Sequence, residues 1–229
     1  MENFAPDVMK KHNLDWDTLK QINPNLVMCS ISYFGQSGPL SHLPDFDYIG
    51  QAYAGIIGLT GEPGRKPVFG EYAFGDMSTG AHAYAAITST LIHRLQGGKG
   101  QYLNISLMEV LFSYREMNVQ LYNTTNGELE VERAGAFHPL FSPIGIFSCK
   151  GRYIFIVALI QSWDALMKII GREDFLSDPR FMDPGSRGKH EKELTEAIES
   201  WLEAVGDADK AVALLQAERI PSAPILLIP

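Results

Sequence analysis

The chain has 229 residues and a formal charge of −8, and this acidic balance argues against nucleic acid as a partner, because neutralising phosphates takes clustered Lys and Arg. With 45% hydrophobic and 20% charged residues it can build a core and is too apolar to be disordered. The apolar run Ile154–Ile160 is far short of the ~20 residues that span a bilayer, and no signal peptide is visible at Met1-Glu2-Asn3-Phe4, so a cytoplasmic protein with no membrane partner is expected.

Leu14–Ile22 reads as a short helix capped by Asn13 or Asp15 and stopped by Asn23-Pro24. Leu26–Ser32 has strand length, and Gly35, Gly38 and Pro39 mark the loop after it. A second helix is expected from about Asp45 to Leu59, ended by the turn Gly61-Glu62-Pro63-Gly64. Val68–Phe74 reads as extended. Gly75-Asp76-Met77-Ser78-Thr79-Gly80 then opens a long helix to about Leu95, rich in Ala81, Ala83, Ala85 and Ala86 and closed by Gly97-Gly98-Lys99-Gly100. Tyr102–Ser106 alternates as a strand and a helix follows to about Tyr122. Strand, helix, strand, helix at these lengths implies a parallel sheet covered by helices.

Residues 123–132 read as a linker. Beyond it, Ile144–Ser148 and Arg152–Leu159 suggest a hairpin, followed by helices near Ser162–Ile170, Lys189–Ala204 and Ala208–Ala217. The fold class expected is α/β: an open parallel-sheet domain over residues 1–122 and a smaller α+β domain over 133–229. Two features suggest a piece of a longer protein. Ile225–Ile228 should be buried with nothing after Pro229 to cover it, and the usual first strand and glycine loop of such a domain are missing.

Several motifs fail. The Gly75–Gly80 spacing lacks the Lys-Ser/Thr of a phosphate loop, Gly35-Gln36-Ser37-Gly38 is one residue short of a nucleophile elbow, and the histidines show no metal-ligand spacing. Cys29 and Cys149 have no CxxC partner and read as small buried hydrophobes. Lys99 sits in a turn that either touches phosphate or is solvated. Asp76 is the informative carboxylate. At a strand-to-helix edge it would feel the helix dipole and free N–H groups, both favouring ionisation, and an ionised, positioned carboxylate can form a covalent acyl intermediate. An ordinary N-cap fits the same spacing, and spacing does not decide between the two.

Taken in order, the strings resemble CoA-transferase family III. They are Asn3-Phe4-Ala5-Pro6, Asn23-Pro24-Asn25-Leu26-Val27 running into Cys29-Ser30-Ile31-Ser32, Phe34-Gly35-Gln36-Ser37-Gly38-Pro39, and Phe46-Asp47-Tyr48 with Gln51 and Gly55. Gly75–Gly80, Gly98-Lys99-Gly100-Gln101-Tyr102, Arg133-Ala134-Gly135 with His138-Pro139, and Asp178-Pro179-Arg180-Phe181 continue the match. The resemblance implies transfer of coenzyme A, as co-substrate and without a metal, from an acyl-CoA to a small carboxylic acid. It gives Asp76 the role of nucleophile, passing through a mixed anhydride and an aspartyl-CoA thioester, with Ser78, Thr79 and Gly80 as candidate N–H donors. It places Asp47 beside the nucleophile, although a helix-start carboxylate reads the same way. It puts Asn3, Phe4, Ala5, Lys11, Asp45 and Phe46 against the coenzyme. Lys11 stands for a frequent arginine, keeping charge without the bidentate fork, and a solvated helix lysine fits equally.

The resemblance also implies an interlocked homodimer. Related 2-methylacyl-CoA racemases carry a histidine where this chain has Phe46, which cannot take a proton, so transfer is expected over isomerisation. Ala136-Phe137 departs from the usual asparagine. A non-catalytic remnant is the remaining alternative, motivated by the apolar tail and the missing start.

Overall fold

A computed structural model describes residues 1–129 and 131–227. The chain forms two compact units, Met1–Thr60 with Pro67–Val131, and Gly61–Lys66 with Glu132–Pro229. The segment Gly61–Lys66, expected in the first domain, belongs to the second: Gly61 C=O accepts from Gly135 N–H at 3.1 Å, and Arg133 donates to the carbonyls of Glu62 and Arg65 at 3.3 and 2.9 Å.

The first unit opens with a one-turn helix α1 (Val8–Lys11) and α2 (Trp16–Ile22), whose N-cap is Asp15, accepting from Thr18 N–H. Strand β1 (Met28–Ser32) is followed by α3 (Asp47–Tyr53), a 3-10 turn (Ile57–Leu59) and the long α4 (Phe74–Leu95). Strand β2 (Tyr102–Ser106) then leads into α5 (Leu107–Ser113) and α6 (Glu116–Thr124). The expected helix from Asp45 stops early because Gly55 turns left-handed (φ 78°), and Arg115 donates to the freed Ala54 carbonyl at 3.0 Å.

The parallel pair is β1 with β2, from Met28↔Tyr102 to Ser32↔Ser106. Residues 68–73 are not a strand, correcting the extended reading. Pro67 precedes them and Gly70 interrupts them, among the described residues no strand pairs with them, and Val68, Phe69 and Tyr72 are exposed. Glu2 instead runs parallel beside β1: its N–H donates to Cys29 C=O at 2.9 Å and its carbonyl accepts from Ile31 N–H at 3.0 Å. That short bridge carries Asn3-Phe4-Ala5 to the C-terminal edge of the sheet, where open α/β folds bind ligands. The first unit's buried cluster is small, Ala54, Leu107 and Leu111, with Tyr33, Ile56 and Met108 packed on it. On α4 only Ala83 of the four expected packing alanines is buried, while Ala81 and Ala85 face solvent.

The second unit has a larger core. Strands β3 (Ile144–Cys149) and β4 (Arg152–Val157) form the expected hairpin, and β5 (Ser222–Pro224) adds antiparallel to β4. Helix α7 (Trp163–Ile169), two 3-10 turns (Glu173–Leu176 and Pro179–Phe181), α8 (Pro184–Lys189), α9 (Glu191–Val205) and α10 (Ala208–Ala217) complete it. Phe147, Ile154, Phe175, Phe181, Ile198 and Leu215 are fully buried there, each worth roughly 1.5–3 kcal/mol. Ile225, Leu226 and Leu227 are 39, 74 and 90% exposed, against the expectation of burial. Strand β5 ends at Pro224, and Ile225 N–H still donates to Tyr153 C=O at 2.8 Å before the exposed Leu226 and Leu227. Ile228 and Pro229 lie outside the described residues. Both cysteines are free and buried.

Candidate active site

The site is built around the start of α4. That helix has Ala73 as N-cap and no side-chain cap of its own. The missing cap comes from another helix: Asp47, the first residue of α3, accepts Asp76 N–H on Oδ2 at 2.7 Å. Asp76 is therefore the third helical residue, not the cap and not the end of a strand, which corrects both local readings of it. Ser78, Thr79 and Gly80 are also interior to the helix. Their N–H groups belong to carbonyls four residues back, a ladder that starts with Met77 N–H on Ala73 C=O, so they are not the free donors expected. Helix geometry leaves the N–H groups of Ala73 to Asp76 without an intrahelical partner, and Asp47 takes that of Asp76.

Gly75 makes this approach possible. A Cβ there would stand 2.8 Å from Leu107 Cδ2 and 3.0 Å from Asp47 Oδ2. Asp47 is 2% exposed, and its other oxygen accepts from Gln51 Nε2, which also donates to Tyr72 C=O at 3.1 Å. The buried carboxylate is thus tied on both oxygens.

Asp76 itself faces an open cleft of about 440 Å³, lined by residues that include Asn3, Phe4, Ala5, Tyr33, Asp45 and Asp76. The Tyr33 hydroxyl donates to Asp76 Oδ1 at 3.4 Å. Asp76 Oδ2 has no protein partner among the described residues. Desolvation, then the nearby Asp47 charge, raise the Asp76 pKa above its ordinary 3.8, and the Tyr33 hydrogen bond offsets part of this. The direction is opposite to the one the helix dipole alone suggests, because burial and a like charge outweigh it. Desolvation and the Asp76 and Asp45 charges push the Tyr33 phenol up to about 12. Asp45 is likewise raised, chiefly by desolvation.

The structure therefore gathers Asn3, Phe4, Ala5, Asp45 and Asp76 on one cleft, with Asp47 buried behind it. It does not bring Lys11 or Phe46 there. Lys11 is exposed in the last turn of α1, and Phe46 is 61% exposed in an aromatic group with Tyr48 and Phe69. Tyr33 is the site residue that sequence reasoning missed. It meets Asp76 across 43 positions, and no local pattern announces such a contact. No Lys or Arg lines the cleft, and among the described residues no cluster of His, Cys, Asp and Glu is arranged to hold a metal. No helix among them is long and apolar enough to cross a membrane.

The chain is 34% identical over 226 residues to an acyl-CoA transferase of Fusarium pseudograminearum, covering 98% of this chain and 49% of that protein. It is 32% identical over 202 residues to a succinate–glutarate CoA-transferase of Agrobacterium fabrum, covering 86% of this chain and 49% of that protein. A crystal structure of a CAIB/BAIF family protein from Brucella suis superposes with a TM-score of 0.80 at 31% identity, over 99% of this chain and 59% of that one. The chain thus spans about half the length of the curated relatives it matches. The family model for CoA-transferase family III matches residues 1–228, and the chain belongs to that family.

Proposed function

We propose that this chain carries the covalent centre of a CoA-transferase, moving CoA from an acyl-CoA to a carboxylic acid with Asp76 as carrier. The observation that carries the reading is a carboxylate held by its own backbone to Asp47, open to a cleft, and with one oxygen unpartnered among the described residues. Its raised pKa makes it a more basic and hence stronger nucleophile than a free Asp. Asp76 Oδ2 adds to the thioester carbonyl carbon and expels CoA as thiolate, leaving a mixed anhydride. The aspartyl Cγ then accepts the thiolate and releases the first acid as its carboxylate. An acceptor carboxylate reverses both steps. No net proton is exchanged.

A cleft with carboxylates and no Lys or Arg suits the acyl-thioester end of acyl-CoA and repels its phosphates. Asn3, Phe4, Ala5 and Asp45 border that end. Lys11 and the aromatic face at Phe46 are assigned to the coenzyme's outer part, and the active form is assigned as a homodimer. Phe46 has no transferable proton and the cleft lining holds no histidine, so isomerisation at the α-carbon is the weaker reading. The relative that acts on succinate and glutarate supplies the first substrate pair to try, succinyl-CoA with glutarate. The test is incorporation of labelled glutarate into its CoA thioester. Asp76→Ala should abolish it, and retained exchange in that variant would refute the assignment.

A further inference from the structure

Tyr33 has no task in the steps above, yet its placement is over-determined. Its carbonyl accepts from Met108 N–H at 2.9 Å and from Ser106 Oγ at 3.2 Å. Its ring packs on the Ala54–Leu107–Leu111 cluster. The phenol is thereby carried to the cleft, where its hydroxyl reaches Oδ1 of Asp76 at 3.4 Å while Oδ2 has no protein partner among the described residues. Catalytic hydrogen bonds are commonly long before substrate tightens them. The two oxygens of Asp76 are therefore inequivalent.

Resting on the reading of Asp76 as nucleophile, we propose that Tyr33 is a catalytic hydrogen-bond donor aimed at the enzyme's own carboxyl group, stabilising the oxyanion that forms on Asp76 Oδ1 whenever Asp76 is the electrophile. With Oδ2 as attacking atom, Oδ2 becomes the bridging oxygen of the anhydride and Oδ1 the aspartyl carbonyl oxygen. Thiolate addition to Cγ moves the C=O electron pair onto Oδ1. Collapse restores that carbonyl and breaks Cγ–Oδ2, and the departing acid takes Oδ2 with it. Acceptor attack on the aspartyl-CoA thioester passes through the same charge on Oδ1 and replaces the lost oxygen. Tyr33 keeps its proton throughout. A phenol pushed up to about 12 is protonated, and so a donor, across the neutral range. The first attack places its negative charge on the substrate carbonyl instead, so Tyr33 serves the two steps at Cγ and not that one.

The test compares wild-type protein with Tyr33→Phe, which keeps the ring and its packing. Both are mixed with succinyl-CoA alone, and the CoA adduct on Asp76 is followed by mass spectrometry. Adduct formation should slow by about 10²-fold or more, the usual loss for one oxyanion donor, with CoA affinity unchanged. Asp76, which faces Tyr33, Asp45 and Asp47, should also titrate at higher pH in the variant, because the hydroxyl's hydrogen bond lowers its pKa. Equal adduct rates in the two proteins would overturn the role of Tyr33 and leave Asp76 standing. No adduct on the wild-type protein would overturn both.

Discussion

Asp47→Asn separates two jobs that one buried carboxylate performs. In the wild-type chain Oδ2 caps the start of α4 through Asp76 N–H and Oδ1 accepts from Gln51. Asn offers one acceptor and one NH2 group, so one of these donors faces another donor in a site 2% exposed. An unsatisfied buried donor costs about 1–3 kcal/mol. Losing the charge at the helix start removes about 0.3–1 kcal/mol more, and relief of repulsion with Asp76 returns part of the sum. A net loss of about 2 kcal/mol lowers melting by roughly 4–8 °C at the 2–4 °C per kcal/mol of domains somewhat larger than this unit. Trp16, stacked on Tyr102 at 6.0 Å in the first unit, is the fluorescence probe for that transition. The second effect has a different sign. Removing the Asp47 charge lowers the Asp76 pKa, so the acid limb of the exchange rate moves to lower pH while the protein becomes less stable. An unchanged melting temperature would refute the capping role. An acid limb that stays put would refute the electrostatic one.

Three further outcomes are expected. Asp76→Asn should raise the melting temperature at pH 7 while abolishing transfer. A carboxyl group whose folded pKa lies above its ordinary 3.8 favours folding in full below that value, and the contribution is lost as pH rises through the folded pKa. The gain over wild type should therefore vanish in melts taken below about pH 3, where both proteins are uncharged at this position. Gly75→Ala forces the helix start away from Leu107 and Asp47, at the roughly 1–3 kcal/mol typical of overpacking; its exchange rate should fall by more than its stability loss explains, read as kcat on folded protein. In the second unit Arg187 is 3% exposed, stacks its guanidinium 3.7 Å over Trp163 and donates to Phe181 C=O at 2.7 Å. Arg187→Ala should cost about 2–4 kcal/mol through the lost stacking and the orphaned carbonyl, read from Trp163 fluorescence on denaturation.

How far the fold could be read from the residues follows from the range of the interactions involved. Strand β2, the β3–β4 hairpin and the amphipathic helices α9 and α10 have local periodicity, and Asp15 caps α2 as its spacing suggests. Val68–Phe74 misled because β-prone residues form a strand only where a neighbour takes their hydrogen bonds. Helix α8 hid behind two glycines, although Asp183 before Pro184 is a cap-and-N1 pair that could have marked it. Asp76 was legible as the carboxylate of interest, but not its environment. Its cap, its raised pKa and its Tyr33 contact come from residues 29 and 43 positions away, and that pairing exists only after β1, α3 and α4 have packed.

The most direct measurement is to incubate the purified protein with succinyl-CoA, quench with hydroxylamine and map the modified peptide. Covalent carriage through the start of α4 predicts a hydroxamate on Asp76, dependent on acyl-CoA and absent from Asp45 and Asp47. A protein that turns over acyl-CoA while Asp76 stays unlabelled would contradict it.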